Sequence, residues 1–286
     1  MRRTLWILLF VINIIQASDL QDNLTSILNK GYGTEYLKNY IQPLANSAGI
    51  AMNGAVYYRG TVKAFPEFDI GINTTYIFLP DQAFYFVSQK PSPGTSQQVP
   101  TIFGNKQPAD DVVPGLALDA FQLPLMHLNV GLFNNMEIMF RISQFHTENF
   151  GSNRLIGGGF KYGLSDLLLI EAIPISFSVQ AMYHSLNLDN YLSTGSFGMN
   201  LHASSSIPKT AFTVYAGATF ENTSLVIKTN LLPVEEAFKY GTISLRGKSD
   251  FNFNIGLNAE FLIFNLHLDY NFSYYQSIAG GLMLVF

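Results

Sequence analysis

Residues 251–286 alternate. Phe251, Phe253, Ile255, Leu257, Ala259 and Phe261 oppose Asn252, Asn254, Gly256, Asn258 and Glu260. The pattern resumes with Phe264, Leu266, Leu268, Tyr270 and Phe272 against Asn265, His267, Asp269 and Asn271. It ends with Ile278, Gly280, Leu282, Leu284 and Phe286 against Ser277, Ala279, Gly281, Met283 and Val285. A period of two sends successive side chains to opposite faces of a strand. Phe261 and Phe264 flank two residues, so one apolar face continues from strand to strand. Leu262-Ile263 is poor chemistry for a two-residue turn, which favours Gly or Asn.

The question is which solvent meets that face. Only 13% of the residues are charged, whereas about a quarter is usual in soluble domains. The chain has 24 Phe and 15 Tyr, spread over many short alternating segments. A closed membrane barrel accounts for both: outward rows meet hydrocarbon, and inward rows carry uncharged polar groups. A soluble β-sandwich would need stronger turn chemistry and a more charged outer face. The expected fold is therefore all-β, an antiparallel transmembrane β-barrel of about 12 strands, range 10–14.

Further strands are expected at 68–78, 123–132, 136–143, 154–163, 174–184, 196–204, 211–220, 224–230 and 241–246. Asn134-Asn135 signals a tight turn. Residues 79–121 contain Pro91, Pro93, Gly94, Pro100, Gly104, Pro108 and Pro114, and read as a long extracellular loop. The barrel is expected over 56–286.

Met1-Arg2-Arg3, an apolar run from Leu5 to Ile15 and then Gln16-Ala17 form a secretory signal peptide, residues 1–17. A membrane-spanning helix needs about 20 apolar residues, and Asn13 interrupts this run. Losing two arginines would take the formal net charge from −4 to about −6, which gives no reason to expect nucleic-acid binding. The absence of cysteine removes disulfides and lipoprotein attachment. Residues 18–55 are helical in pattern: Leu20, Leu24, Ile27 and Leu28, then Leu37, Tyr40, Ile41 and Leu44, with a cap at Thr34 and Pro43 near the second helix's end. Small residues then crowd Ala45–Gly54. This segment is expected to plug the lumen or to lie in the periplasm.

Several stretches together point to a family: Leu44–Ser47, Ile77–Asp81, Pro100–Gly104, Gly131–Phe133, Glu137–Arg141, Gly157–Tyr162 and the terminal strands. They resemble a domain-of-unknown-function family of Bacteroidota outer-membrane proteins, DUF6588. The resemblance implies an exported barrel with an N-terminal helical element, and no established activity. The architecture is more loosely similar to the FadL-type hydrophobic-substrate channels, which also carry an N-terminal hatch.

The inward row is where function would lie. It includes His127, Asn129, Glu137, Arg141, Lys161, Asn200, His202, Asn254, Asn258, Glu260, His267 and Asp269. Such residues either hydrate and cross-link a filled interior or line a conduit. Glu137 and Arg141 are expected to pair with neighbouring strands. No nucleotide or hydrolase motif occurs in a fitting context. Gly157-Gly158-Gly159 falls mid-strand and reads as a close-packing site. His202 and Ser204 would stand about 6.5–7 Å apart on one strand, too far for direct proton transfer. The five histidines lack metal-ligand spacing. The expectation is no enzyme, no cofactor and no metal. The barrel should transport a small solute, hydrophobic solutes included; alternatively it is a structural or accessory barrel binding a partner through its loops. A third reading, an autotransporter-like translocator, lacks a passenger. Expected partners are outer-membrane lipid and the barrel-assembly machinery, for which Ile278, Leu282, Leu284 and Phe286 would form the recognition strand.

Overall fold

The computed structural model describes residues 19–56, 58–90, 94–107, 111–165 and 174–286; the expected signal peptide, 1–17, lies outside them. Two helices, α1 (Asp19–Asn29) and α2 (Gly33–Asn53), precede the strands. The strands are β1 (Phe68–Phe78), β2 (Tyr85–Ser88), β3 (Gln97–Pro100), β4 (Ala120–Gly131), β5 (Met136–Thr147), β6 (Gly151–Gly163) and β7 (Ser176–Leu188). They continue with β8 (Leu192–Ser206), β9 (Phe212–Lys228), β10 (Thr242–Arg246), β11 (Phe251–Phe261), β12 (Phe264–Phe272) and β13 (Ser277–Val285).

Ten of them close an antiparallel barrel, in ring order β1, β4, β5, β6, β7, β8, β9, β11, β12, β13. The first and last strands meet, with Ile70 opposite Leu284. Phe286 fastens that seam: its backbone exchanges hydrogen bonds with Phe68 at 2.8 and 3.0 Å, and the two rings stack 5.0 Å apart. All twelve segments expected from alternation lie in the wall, but one pair of them makes a single strand and another pair lies end to end along one neighbour. Residues 211–220 and 224–230 belong to β9. The short β10 continues β11 along β9, interrupted by a bulge in which 247–250 oppose 221–223.

At one end three of the connections, 132–135, 207–211 and 262–263, are short, whereas 164–175, partly outside the described residues, is longer. Asn134 and Asn135 both have positive φ, 58° and 60°, as a primed turn requires. Leu262 also adopts a left-handed φ of 56° and is 95% exposed, so the apolar Leu262-Ile263 pair does form the turn. The other end carries the longer connections, 79–119 and 229–241. The stretch read as one loop has its own two-stranded hairpin, β2–β3, and β4 begins earlier than expected, at Ala120.

Outward rows are apolar all round: Ile72, Met126, Ile156, Leu201, Ile255, Leu257, Leu268 and Leu282 are exposed. The interior corrects the expectation that the inward rows carry only polar groups. In the loop-end half of the barrel, inward Leu123, Leu125, Leu155, Leu186, Leu225 and Ile227 pack with Leu24, Ile27, Leu37, Ile41 and Leu44 of the helices. A period of two does not separate lipid-facing from core-facing leucines when both rows of a strand are apolar near one end. The helical segment also differs from expectation in detail. α2 starts at Gly33 without a side-chain cap and runs through Pro43 to Asn53. Its far half, Ala45 to Asn53, is buried on every side.

Candidate functional site

The polar half of the interior lies at the turn end, and the chain itself crosses it. α2 descends from the loop end, and residues 54–56 and 58–63 continue between the walls before 64–67 emerge at the rim ahead of β1. Close approach to the wall sets the residue types along this path. A Cβ on Gly49 would stand 2.2 Å from Thr223 Oγ1, and one on Gly60 would stand 2.2 Å from the Ser176 carbonyl oxygen. Asn53 Nδ2 donates to Ser196 Oγ on β8 at 2.9 Å and to Glu221 Oε2 on β9 at 2.8 Å. Across the ring, Arg141 of β5 receives the C-terminal end of α2. Its guanidinium donates to the carbonyls of Met52, Gly54 and Ala55 and to His127 Nδ1. A fixed positive charge at a helix C-terminus complements both the unpaired carbonyls and the macrodipole.

Below this point sits a buried charge cluster. Arg59 bridges Asp69 of β1 at 2.8 Å and both Glu137 carboxylate oxygens of β5, at 2.9 and 3.0 Å. Lys63 lies 3.4 Å from Asp69, and Lys161 of β6 lies 4.0 Å from Glu137 and donates to the Arg59 carbonyl at 3.0 Å. Tyr58 donates to Asp69 at 2.6 Å and stacks on His267, with ring centroids 4.5 Å apart. Asn129 donates to the other Asp69 oxygen at 2.8 Å. Paired, hydrogen-bonded charges are the form in which buried ions are tolerated. The space left beside the cluster is about 10 Å³, room for one water.

Of the residues expected on the inward row, His127, Asn129, Glu137, Arg141, Lys161, Asn200, His202, Asn254, Asn258, His267 and Asp269 are all buried. Glu260 is the correction: it is exposed, because it is the last inward position before the turn and stands at the rim. Glu137 pairs across strands with Lys161 as expected, whereas Arg141 binds the helix end. Arg59, Lys63, Tyr58 and Asp69 escaped the sequence reading. Their signal was two cations four residues apart, in a charge-poor chain, just before a strand that opens with an inward Asp. Ser204 Oγ accepts the Gly60 amide at 2.7 Å, and the His202 ring lies against Tyr215. Gly157 leaves room for His184, whose ring a Cβ there would meet at 2.0 Å.

A second feature lies in the loop-end half. β4 and β5 each have twelve residues, yet their ladder covers six pairs, from Met126 opposite Ile142 to Gly131 opposite Glu137. Beyond it, β4 stays paired with β1 and β5 stays paired with β6, so the wall parts between 120–125 and 143–147. Pro124 stands where the ladder stops, with no N–H to contribute, and Ser143 Oγ donates to its carbonyl at 2.7 Å. Behind this seam is a cavity of about 230 Å³ whose apolar lining includes Phe121, Leu123, Phe145, Phe150, Leu186 and Leu188, with the buried Asn153 at its wall and the less buried polar residues Gln122, Thr147 and Asn149 also lining it. The seam's outward residues Gln122, Gln144 and His146 are exposed and polar.

A family model described as "Family of unknown function (DUF6588)" matches residues 1–286. No curated protein matches the chain. Among solved structures, the N-terminal barrel domain of Pseudomonas aeruginosa OprF is 14% identical, covering 53% of this chain and 96% of that one, with a TM-score of 0.31. LpxR from Salmonella typhimurium is 11% identical, covering 76% and 100%, with a TM-score of 0.36. The P. putida toluene transporter TodX is 13% identical, covering 76% and 66%, with a TM-score of 0.26. Similarity at this level says nothing of activity.

Proposed function

This chain belongs to the DUF6588 family, whose function is unassigned, and from its barrel we propose an outer-membrane protein that takes up small solutes, hydrophobic ones foremost, at the β4–β5 seam. The membrane reading is supported by outward rows that are apolar around the ring and by a ladder closed through β1–β13 and β8–β9. Bilayer hydrocarbon admits only backbones whose polar groups pair internally, and closure achieves that everywhere in the described ring except the loop-end half of β4–β5. Three short connections at one end and the long 79–119 connection at the other fit periplasmic and extracellular ends, with 164–175 departing from that pattern. Export requires the signal peptide expected at 1–17.

The observation that carries the transport reading is a coincidence of two features. The one ladder that stops halfway along its strands, among those closing the described barrel, has a largely apolar cavity behind it. Because α2 and the Arg59 cluster fill the turn end, a solute in that cavity has the seam as its open side. The seam's polar outward residues set it at the level where hydrocarbon gives way to headgroups.

The chain has no cysteine, so a pair introduced at Gln122 and His146 would be the only thiols. A short reducible thiol crosslinker across this pair is expected to slow accumulation of radiolabelled naphthalene by cells carrying the barrel in a lipopolysaccharide outer leaflet. Reductant should restore it. Equal accumulation with and without the crosslink would sink the transport reading. It would leave the alternative, a structural barrel engaging a partner through its loops, which the filled turn end favours.

A further inference from the structure

Among the described residues that line the seam cavity, one buried side-chain polar atom has no hydrogen-bond partner. Asn153 points inward from β6, is 1% exposed and lines the cavity with Phe121, Leu123, Leu186 and Leu188. Its Nδ2 donates to the Gly151 carbonyl at 3.0 Å. A carbonyl only accepts, so this bond fixes which end of the amide is nitrogen. The other end, Oδ1, is buried and has no hydrogen-bond partner among the described residues. Buried acceptors are nearly always satisfied, and an exception calls for a reason.

We infer that the cavity binds a small, largely apolar molecule bearing one hydroxyl or N–H group, and that this group donates to Asn153 Oδ1. The inference rests on the proposed role of the cavity as the solute site and adds the chemical class of the solute. Size sets the first limit: an apolar cavity of about 150 Å³ holds benzene, so about 230 Å³ accommodates a bicyclic aromatic or a medium-length alcohol. Charge sets the second. Among the described residues no Lys, Arg, His, Asp or Glu lines the cavity, so a carboxylate or ammonium would be desolvated there without a charged partner. Hydrogen bonding sets the third. A pure hydrocarbon leaves Oδ1 unpaired and an acceptor-only ligand opposes it; the donors of Gln122, Thr147 and Asn149 are not buried and stay open to water, so the buried Oδ1 selects phenols, indoles and alcohols over both.

The test compares 2-naphthol with 2-methoxynaphthalene and naphthalene by equilibrium dialysis against the full chain folded in detergent, with partitioning into empty micelles subtracted. One hydrogen bond corresponds to an affinity gain of about three- to tenfold, so 2-naphthol should bind tighter than both others by about that factor. Asn153→Leu should abolish the preference while naphthalene binding stays within about twofold. The wild-type comparison with 2-methoxynaphthalene needs no variant, so the inference stays testable if Asn153→Leu misfolds. Leu186→Trp, which fills the cavity and keeps Asn153, should remove binding of all three probes. Equal binding of the three probes that Leu186→Trp abolishes would overturn the ligand class and leave the cavity's role standing. Absence of binding by any probe would overturn both.

Discussion

At the scale of single residues, Arg59 does what no wall residue does: it joins the crossing segment to two strands at once, through Asp69 and Glu137. Both carboxylates are buried, so removing the cation strands them rather than returning them to water. Losing one partner of a buried ion pair costs about 3–5 kcal/mol. Lys63 and Lys161 remain nearby and should compensate in part, which puts the expectation for Arg59→Met at about 2–4 kcal/mol, read from reversible urea unfolding in detergent or lipid. Arg59→Lys should recover little, because a single ammonium cannot reproduce the two-carboxylate fork. A loss below about 0.5 kcal/mol for Arg59→Met, the level of an exposed pair, would contradict its placement at the centre of the cluster.

At the scale of elements, α2 fits its barrel because its wall-facing positions are small. Gly49 lies against Thr223 of β9 so closely that any side chain must displace one or the other. Overpacking of this kind costs about 1–3 kcal/mol. Gly49→Ala should destabilise by that amount. Thr223→Ala in the same chain should return part of it, with a coupling energy of about 1 kcal/mol in a double-mutant cycle. Additive losses would mean that the helix and β9 do not touch there. The same geometry explains why α2 tolerates Pro43. In this interior the helix is held by packing along Leu37, Tyr40, Ile41 and Leu44 and by Arg141 at its end, so one missing backbone donor does not end it.

At the scale of the whole molecule, the barrel and the N-terminal segment share one apolar core, with a dry half and a charged half stacked along the axis. Deleting residues 19–56 therefore does two things. It opens a path, and it exposes Leu123, Leu155, Leu186 and Leu225, which face the helices in the full chain. The expected result is an ion-conducting barrel in planar bilayers that unfolds at lower urea than the full chain. Conductance no greater than that of the full chain would contradict the plugging role of α2.

The alternation of Phe251–Phe286 determined the closed antiparallel sheet, its lipid-facing rows and the polar row from His127 to Asp269, because a period of two is a property of the strand itself. The Asn134-Asn135 turn was legible for the same local reason. Strand joins were not: whether 211–220 and 224–230 are two strands or one depends on a partner strand, and the bulge at 247–250 exists only relative to β9. The seam was hidden because a ladder's length is a relation between two strands, although Pro124 marks where it stops. Arg59, Lys63 and Asp69 lie close in sequence, but Glu137 and Lys161 reach them only once the chain has been threaded through the ring. Which leucines face lipid and which face α2 was likewise decided by closure. A sequence assigns side chains to the two faces of a strand, and only the tertiary structure decides what occupies the space each face encloses.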